Sequence, residues 1–322
     1  MENTAGICTG RKEKHISIII GVDHGFGSIK TARTVTPAAI ARYDCEPLVG
    51  SGSILHYQDA YYRIGGERMR LRKDKTADDL YWVLTLYAIA AEIRARRLDP
   101  SQSVILGAGL PLAEMGQTSR QFRDYLQRDG EHVVTLDGQE YHIVIECVEL
   151  SPQGYAGVLP KISAIQAEPA VHLVDIGAWT VDTVTLVRGI SSASSERSIE
   201  NGVIRCLEYI REQLRQSQRR IFSDAQIEDA LWKDQGLPAD IRREMKNLCA
   251  QWCTEMIRKL DEAGIDTASA PVYFLGGGAR LLSEYLPAEV QRSFLQPYYL
   301  TDVRSNARGY ESVCAVVYPE AG

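Results

Sequence analysis

The sequence lacks the features of several protein classes. Its 322 residues contain no apolar run near the roughly 20 residues that a membrane-spanning helix requires. The formal net charge is only −6, so no global positive field attracts nucleic acid or an anionic membrane. The seven cysteines are scattered, and no histidine or cysteine pair completes a zinc set beside Cys249 and Cys253. We expect packed, reduced thiols, no membrane contact, and DNA contact only locally or through a partner.

Two common nucleotide-binding motifs are also missing. The glycine-rich stretch 276–278 is not Gly-x-Gly-x-x-Gly and has no acidic residue about twenty positions on, which argues against a dinucleotide fold. No Gly-Lys-Ser/Thr follows it, so it is not a Walker A motif. Residues 1–15 carry no apolar signal-peptide segment, which predicts a disordered tail and a cytoplasmic protein.

Strands alternate with helices along the rest of the chain, which predicts an α/β fold. Buried-type strands are expected at 16–23, 103–112, 170–177 and 270–275. Helices are expected at 76–98, 202–218, 223–233, 238–263 and 306–317. Capping boxes are expected at Thr76 and Ser223, a hairpin turn at 137–138, and a helix break at Pro160.

One layout occurs twice, about half a chain apart. The stretches are GVDHGFGSIK (21–30) and LVDIGAWTVD (173–182). Each has an apolar strand, Val-Asp, a glycine two residues after the aspartate, and a second strand. The repeat predicts two similar domains that face each other.

The repeated turns have the chemistry of phosphate grips. Glycine-containing turns expose backbone N–H groups to an anion, and Asp23 and Asp175 end the strands before them. Carboxylates beside a polyphosphate require a divalent cation, usually Mg²⁺ held through water. Lys30 could reach a phosphate or be an exposed strand lysine. Each turn alone would be read as structural, but the pair favours a nucleotide cleft.

Four stretches together resemble a known superfamily. They are VDHGFGSIK (22–30), VELSPQGYAG (148–157), VDIGAWTVD (174–182) and FLGGGARLL (274–282). Their order is similar to the phosphate-1, connect-1, phosphate-2 and adenosine motifs of the actin/Hsp70/sugar-kinase ATPases, over roughly 16–318. GAGLPL (107–112) and SNARGY (305–310) resemble the bacterial plasmid-segregation ParM/StbA group most closely.

The resemblance implies an α/β, actin-like (ribonuclease H-like) duplicated two-domain fold with an interdomain nucleotide cleft. Domain I would occupy 16–168, with a small subdomain IB at about 43–98. Domain II would occupy 169–302, and a C-terminal helix at 303–318 would pack back on domain I.

Site residues follow from the same resemblance. Asp23 and Asp175 would lie near Mg²⁺, and Gln153 would orient the attacking water, with Glu149 as the competing catalytic residue. The nucleotide would contact Gly25, Phe26, Gly27, Ser28 and Lys30 in the first turn, Gly177, Ala178, Trp179 and Thr180 in the second, and Gly202, Gly276, Gly277 and Gly278 near the adenosine. Ala178 and Trp179 replace the glycines usual in the second turn. His24 is expected to pack behind the first turn.

The implied function is a bacterial actin-like ATPase that polymerises with ATP (or GTP) and Mg²⁺. The filament would drive or position plasmid DNA through a DNA-bound adaptor, with DNA contacted only indirectly. The alternatives are a small-molecule kinase, for which Asp182 is a candidate base, and a non-polymerising actin-like adaptor. The basic stretch 211–222 is interpreted as a solvated helix face, and 68–75 as a filament contact or a charged edge strand.

Overall fold

The protein is described by a computed structural model over residues 17–48, 52–66, 74–116, 118–191 and 195–321. The predicted disordered tail 1–15 lies outside these ranges, as does most of the basic stretch 68–75. The described residues fold into two mixed β-sheets with helices packed on them.

The first sheet has nine described strands. They are β1 (Ile18–His24), β2 (Ser28–Lys30), β3 (Val35–Pro37), β4 (Ile40–Tyr43), β5 (Ser53–Tyr57), β6 (Ala60–Ile64), β7 (Ser101–Leu110), β8 (Glu131–Leu136) and β9 (Gln139–Pro152). Their order is β3-β2-β1-β7-β9-β8-β5-β6-β4. Strands β1, β7 and β9 are parallel neighbours, so their carboxyl ends meet at one edge of the sheet.

The second sheet repeats the central pattern with fewer strands. They are β10 (Ala170–Ile176), β11 (Val181–Val187), β12 (Ile190–Ser191), β13 (Arg197–Ile199), β14 (Val272–Leu275) and β15 (Pro297–Tyr299). The order is β12-β11-β10-β14-β15, and β13 pairs with β11. The β1–β2 hairpin places Asp23 opposite Lys30, and the β10–β11 hairpin places Asp175 opposite Asp182. The predicted layout repeat is therefore a structural repeat.

The helices in the described ranges cover these sheets. They are α1 (Leu80–Arg96), α2 (Ser119–Leu126), α3 (Ile162–Ala167), α4 (Val203–Gln218), α5 (Asp224–Trp232), α6 (Ala239–Glu262), α7 (Gly277–Tyr285), α8 (Ala288–Gln291) and α9 (Ser305–Val317). Helix α1 is buried from Tyr81 to Ile93 and forms the core of the first sheet. Helices α4 to α7 supply the core beside the second sheet, including Cys206, Cys249 and Cys253.

Helix α9 joins the two sheets. It packs on β1 and β7 of the first sheet, where a side chain at Gly21 would overlap the Ala307 carbonyl. Gly309 lies equally close to the carbonyl of Ala156, in the 3₁₀ helix Ala156–Lys161. At the start of α9, Asn306 donates from Nδ2 to Asp175 Oδ2 at 2.9 Å. The last helix therefore contacts the ends of both central strands, β1 and β10.

The predictions for the two capping boxes, the hairpin turn and Pro160 can each be compared with the structure. The capping box at Ser223 is present, and the hairpin turn at Asp137 joins β8 to β9 with positive φ angles. The box expected at Thr76 is wrong, because Asp74 accepts the Thr76 N–H and hydroxyl and α1 begins only at Leu80. Proline 160 lies in the 3₁₀ helix, and α3 starts after it, since proline cannot donate a helical hydrogen bond.

Candidate functional site

A cavity of about 380 Å³ opens where the carboxyl ends of the central strands of both sheets meet. We call it the main cavity. Its walls come from the β1–β2 turn, the β10–β11 turn, the glycine stretch after β14, and the start of α9. The switch in strand order at such an edge is where open α/β sheets bind ligands. The duplicated hairpins therefore face one shared space.

Two buried carboxylates stand at the ends of the matched strands. Asp23 is 3% exposed and Asp175 is 7% exposed, and both line the main cavity. Lys30 Nζ lies 2.9 Å from Asp23 Oδ2, and Gln153 Nε2 donates to Asp23 Oδ1 at 3.4 Å. Burial and the nearby charge of Asp23 raise the pKa of Asp175 to about 6, against the opposing hydrogen bond from Asn306. The Lys30 ammonium offsets part of the repulsion between the two carboxylates, and a divalent cation between them would offset it further.

The first turn needs glycine because the chain folds tightly on itself there. A Cβ at Gly25 would lie 2.7 Å from the Ser28 carbonyl oxygen and 2.8 Å from Lys30 Nζ. A Cβ at Gly27 would lie 2.5 Å from the Ala178 Cβ in the other turn. The two turns therefore touch across the main cavity, with Phe26 and Ser28 also lining it.

The second turn, residues 177–180, directs backbone N–H groups into the cavity although Gly177 is its one glycine. The carbonyl oxygens of Gly177, Ala178 and Trp179 accept the N–H groups of Val203, Ile204 and Gly202 at 2.9–3.0 Å. In a trans peptide the N–H points opposite to the C=O, so the N–H groups of residues 178–180 face away from α4. Ala178, Trp179 and Thr180 line the main cavity. Three successive N–H groups pointing one way form an anion-binding nest.

The remaining glycines divide into lining and packing positions. Gly276 and Gly277 line the main cavity, and Gly276 has φ of +78° and lies against Asp175. Gly278 does not line the main cavity. A Cβ there would overlap the Ile176 side chain, so this glycine allows α7 to pack closely on β10. Gly202 also serves packing and does not line the cavity, since a Cβ there would lie 2.5 Å from the carbonyl group of Ala178. Of the four glycines that the resemblance placed near the adenosine, only Gly276 and Gly277 line the main cavity.

We call the end of the cavity beside α4 and α5 the apolar end, although Glu228 of α5 also lines the cavity. Val203, Ile204 and the half-buried rings of Trp179 and Trp232 lie there. The Trp179 Nε1 is buried and has no hydrogen-bond partner among the described residues. The guanidinium of Arg280 lies 4.9 Å from the centre of the Trp232 ring. This end suits a planar aromatic base, whereas the turns suit phosphates.

The two candidates for orienting water occupy different places. Gln153 lines the main cavity, and its backbone N–H is held by the Leu110 carbonyl at 2.8 Å. Glu149 does not line the cavity; its Oε1 accepts the Tyr318 hydroxyl at 2.7 Å. Gln153 lies four residues after Glu149, just beyond the end of β9, but the Glu149 side chain is directed to Tyr318 at the C-terminal end of α9. The geometry therefore favours Gln153 and argues against a catalytic role for Glu149.

A smaller cavity of about 110 Å³, here called the side chamber, adjoins the main cavity beyond the turns. Phe26, Gln153, Asp175 and Asp182 line both spaces. Burial raises the pKa values of Asp182 and of Glu114, which also lines the chamber.

Several site residues escaped prediction from the sequence. Lys75 lines the main cavity, although 68–75 suggested only a filament contact or an edge strand. Asn306 bridges Asp175 and the Gly154 N–H, and its signal was the SNARGY stretch. Glu228 and Trp232 come from α5, which carries no recognisable motif. By contrast, His24 was expected to pack behind the first turn, and it is buried there with a hydrogen bond to Thr85 at 2.8 Å; burial lowers its pKa to about 3.

The cavity carboxylates suit a cation whose remaining ligands are water and phosphate oxygens. Among the described residues no group of three or more His, Cys, Asp or Glu side chains is arranged to hold a metal. Asp23 and Asp175 are two buried oxygen donors beside an anion nest, and Mg²⁺ takes one or two carboxylates plus water and phosphate oxygens. The donor set therefore fits a nucleotide-bound Mg²⁺.

Family and structure comparisons agree with this architecture. The N-terminal domain model of actin like proteins matches residues 21–155, and the C-terminal model of the archaeal actin homologue, MreB-like, matches 173–288. The archaeal actin homologue Ta0583 in complex with ADP has a TM-score of 0.71 at 15% identity, covering 93% of this chain and 99% of that chain. The apo psk41 ParM protein has a TM-score of 0.70 at 16% identity, covering 94% and 98%. The Alp12 filament structure has a TM-score of 0.65 at 16% identity, covering 94% and 100%.

A duplicated α/β chain whose matched hairpins face one cavity has the two-domain fold of the actin class. The chain belongs to the actin-like proteins. The predicted fold class and the predicted superfamily are confirmed, and a ParM protein is among the similar structures. No curated protein matches the sequence significantly. No helix in the described ranges has both the length and the apolar character for crossing a membrane.

Proposed function

We propose that this protein is an actin-like ATPase that binds ATP with Mg²⁺ and assembles into filaments in the cytoplasm. The observation that carries the proposal is the meeting of both glycine turns and both strand-end aspartates, Asp23 and Asp175, in one cavity. The ADP complex of Ta0583 and the Alp12 filament structure, both of the same fold, support nucleotide binding and self-association. GTP, which carries the same triphosphate, is the alternative nucleotide.

In the proposed reaction the base occupies the apolar end and the phosphates reach the two turns. The nest at residues 178–180 and Lys30 bind phosphate oxygens, which positions the terminal phosphate beside the side chamber. A bound Mg²⁺ would neutralise phosphate charge, held by Asp23 and Asp175 through water. Gln153 lines both spaces, so its side-chain amide can orient a water from the side chamber toward the phosphate.

The contacts of Asp182 favour hydrolysis over transfer to a small molecule. A kinase requires a base that is free to accept the proton of its acceptor. Thr180 and Ser198 donate hydrogen bonds of 3.2 and 2.5 Å to the Asp182 carboxylate. These contacts oppose the use of Asp182 as a base for a bulky acceptor.

The proposed cellular role is to drive or position plasmid DNA through a DNA-bound adaptor. The resemblance to plasmid-segregation proteins supports this role, and the net charge of −6 favours indirect contact with DNA. The basic residues of α4 are also paired, since Arg211 contacts Asp224 and Arg215 contacts Glu212. A gel-shift assay should show no DNA binding by the chain alone at physiological salt and binding once the adaptor is added.

The decisive experiment is sedimentation with light scattering, with and without ATP and Mg²⁺, together with phosphate release. We expect polymer that forms with ATP and disassembles as phosphate is released. Hydrolysis without any pelletable polymer would favour the non-polymerising adaptor. Transfer of phosphate to a small molecule would replace the proposal with the kinase. Negative-stain images of the same samples would identify the polymer as a filament.

A further inference from the structure

Lys75 is a cation in the main cavity that no motif accounts for. It lies in the segment before α1, and its Nζ is 4.5 Å from the centre of the Phe26 ring and 6.0 Å from that of Tyr81. Over the described part of the chain, no carboxylate comes within ion-pair distance of this ammonium. By contrast, the other lysine of the cavity, Lys30, is paired with Asp23 at 2.9 Å.

The position of Lys75 is held by its neighbours in the chain. Thr76 donates its N–H and hydroxyl to Asp74 at 2.8 and 2.7 Å. Gln121, from α2, donates to the Thr76 hydroxyl at 2.6 Å. The Lys75 side chain is half-buried, and burial lowers its pKa. Keeping a desolvated ammonium without a close counter-ion costs free energy, so an anionic ligand would stabilise this arrangement.

The surroundings of Lys75 place it at the terminal-phosphate end of the cavity. Phe26, under the ammonium, lines both the main cavity and the side chamber. The carboxylates whose charges act on Lys75 are those of Asp23, Glu114 and Asp182, and the last two line the side chamber. The apolar end with Trp232 belongs to α5, in the other half of the molecule. A nucleotide with its base there would bring its last phosphate toward Lys75.

We propose that Lys75 binds the terminal phosphate of the nucleoside triphosphate and so determines the preference for triphosphate over diphosphate. The inference rests on the proposed nucleotide-binding function and adds a residue to it. Because Lys75 lies in the short segment that leads into α1, its contact also joins the terminal phosphate to the helix that forms the core of the first sheet. Hydrolysis and loss of that phosphate would remove the counter-ion of Lys75 and break the contact between the nucleotide and the segment that leads into α1.

A structural role for Lys75 makes a different prediction. If the ammonium only offsets the charges of Asp23, Glu114 and Asp182, its removal changes stability. It would then affect triphosphate and diphosphate binding to the same extent. The ratio of the two affinities therefore separates the roles.

The experiment is calorimetric titration of the full chain with AMPPNP and with ADP, each with Mg²⁺. For Lys75→Met we expect AMPPNP to bind roughly 10- to 100-fold more weakly, the loss typical of a charge-assisted hydrogen bond. ADP affinity should stay within about 2-fold, because no remaining phosphate reaches Lys75. Lys75→Arg keeps the charge and should keep most of the preference. Lys161→Met, at an exposed lysine outside the cavity, is the matched control.

The outcomes separate this inference from the proposed function. If the native chain binds neither nucleotide, the proposed function itself fails. If the native chain binds both and Lys75→Met weakens both equally or neither, the assignment of Lys75 is overturned while nucleotide binding stands. Should Lys75→Met not fold, Lys75→Gln is tested in its place. An unchanged preference in that variant counts equally against the assignment.

Discussion

Gln153 is held at the boundary between the main cavity and the side chamber by its backbone bond to Leu110 and its side-chain bond to Asp23. We predict that Gln153→Ala slows ATP hydrolysis about 100-fold, because the attacking water loses its orienting amide. Nucleotide affinity should change little, since the turns that bind phosphate are intact. Steady-state phosphate release and calorimetry measure the two effects, and the polymers should persist longer.

Glu149→Gln is the matched control, at a residue four positions earlier, in the last part of β9. Its carboxylate contacts Tyr318 rather than the cavity, so turnover should remain at the native rate. If Glu149→Gln slowed hydrolysis while Gln153→Ala did not, the roles of these two residues would be exchanged.

Trp179 lines the cavity in the turn where the motif usually has glycine. The Trp179 carbonyl accepts the Gly202 N–H, so the N–H groups of the turn face the cavity. We predict that nucleotide binding changes the tryptophan fluorescence and that Trp179→Phe removes a large part of this change. Trp252→Phe, in the core beside the second sheet, should leave the change intact. An equal signal in all three proteins would place the nucleotide away from Trp179.

Among the secondary-structure elements, α9 depends most on close backbone contact. A Cβ at Gly309 would overlap the Ala156 carbonyl, which belongs to a rigid 3₁₀ turn. We predict that Gly309→Ala lowers the free energy of unfolding by about 1–3 kcal/mol, despite the better helix propensity of alanine. Urea unfolding followed by circular dichroism measures the loss. Gly116→Ala is the matched control and should be nearly neutral, because a Cβ there would meet no atom of the described residues within 4 Å. Equal stability of both variants would contradict the close packing of α9.

Glu92 joins α1 to the β2–β3 turn and lies fully buried. It accepts hydrogen bonds from Thr31 at 2.5 Å, Arg33 at 2.7 Å and Arg96 at 2.8 Å. Burial alone would raise the pKa of Glu92, but these hydrogen bonds outweigh it and lower the pKa. A lowered pKa in the folded state means that stability is present above the ordinary glutamate pKa and is lost as the pH falls below it.

We therefore predict that Glu92→Gln destabilises the protein at pH 7 by about 3 kcal/mol, because the arginines lose their buried counter-ion. The variant should also lose less stability than the native chain between pH 7 and pH 4. Denaturant unfolding at both pH values tests this. Glu262→Gln, in an exposed ion pair with Arg258, is the control and should change neither quantity much. A parallel loss in Glu92→Gln and the native chain would exclude Glu92 as the titrating group.

Across the whole molecule, the sequence predicted what depends on local pattern. The hairpin repeat, the cavity turns and the order of strands and helices could be predicted because glycine spacing and apolar periodicity act over a few residues. Lys75 and Trp232 could not, since they reach the cavity only through the packing of α1 and α5. Gly278 and Gly202 were grouped with the ligand contacts because a pattern does not distinguish a glycine that packs from one that lines a cavity.

The charge of the assembled cavity makes a prediction that concerns both halves of the molecule. Near the two turns its described lining carries three carboxylates, Asp23, Asp175 and Asp182, against two ammonium groups, Lys30 and Lys75, while Asp302 is paired with Arg304 and Arg308. A polyphosphate entering this cavity meets an excess of negative charge, so binding requires a divalent cation. We predict that EDTA weakens ATP binding by at least about 100-fold and that added Mg²⁺ restores it.

Adenosine is the matched ligand for this test, because it has the base and ribose but no phosphate. Its affinity should be the same in EDTA and in Mg²⁺, since only the apolar end of the cavity is involved. Calorimetric titration of both ligands under both conditions gives the four affinities. If ATP bound equally well in EDTA, the excess of carboxylates would not oppose the phosphates, and the role of Asp23 and Asp175 beside a metal would have to be abandoned. If adenosine also required Mg²⁺, the cation would act on the fold of the cavity rather than on the phosphates.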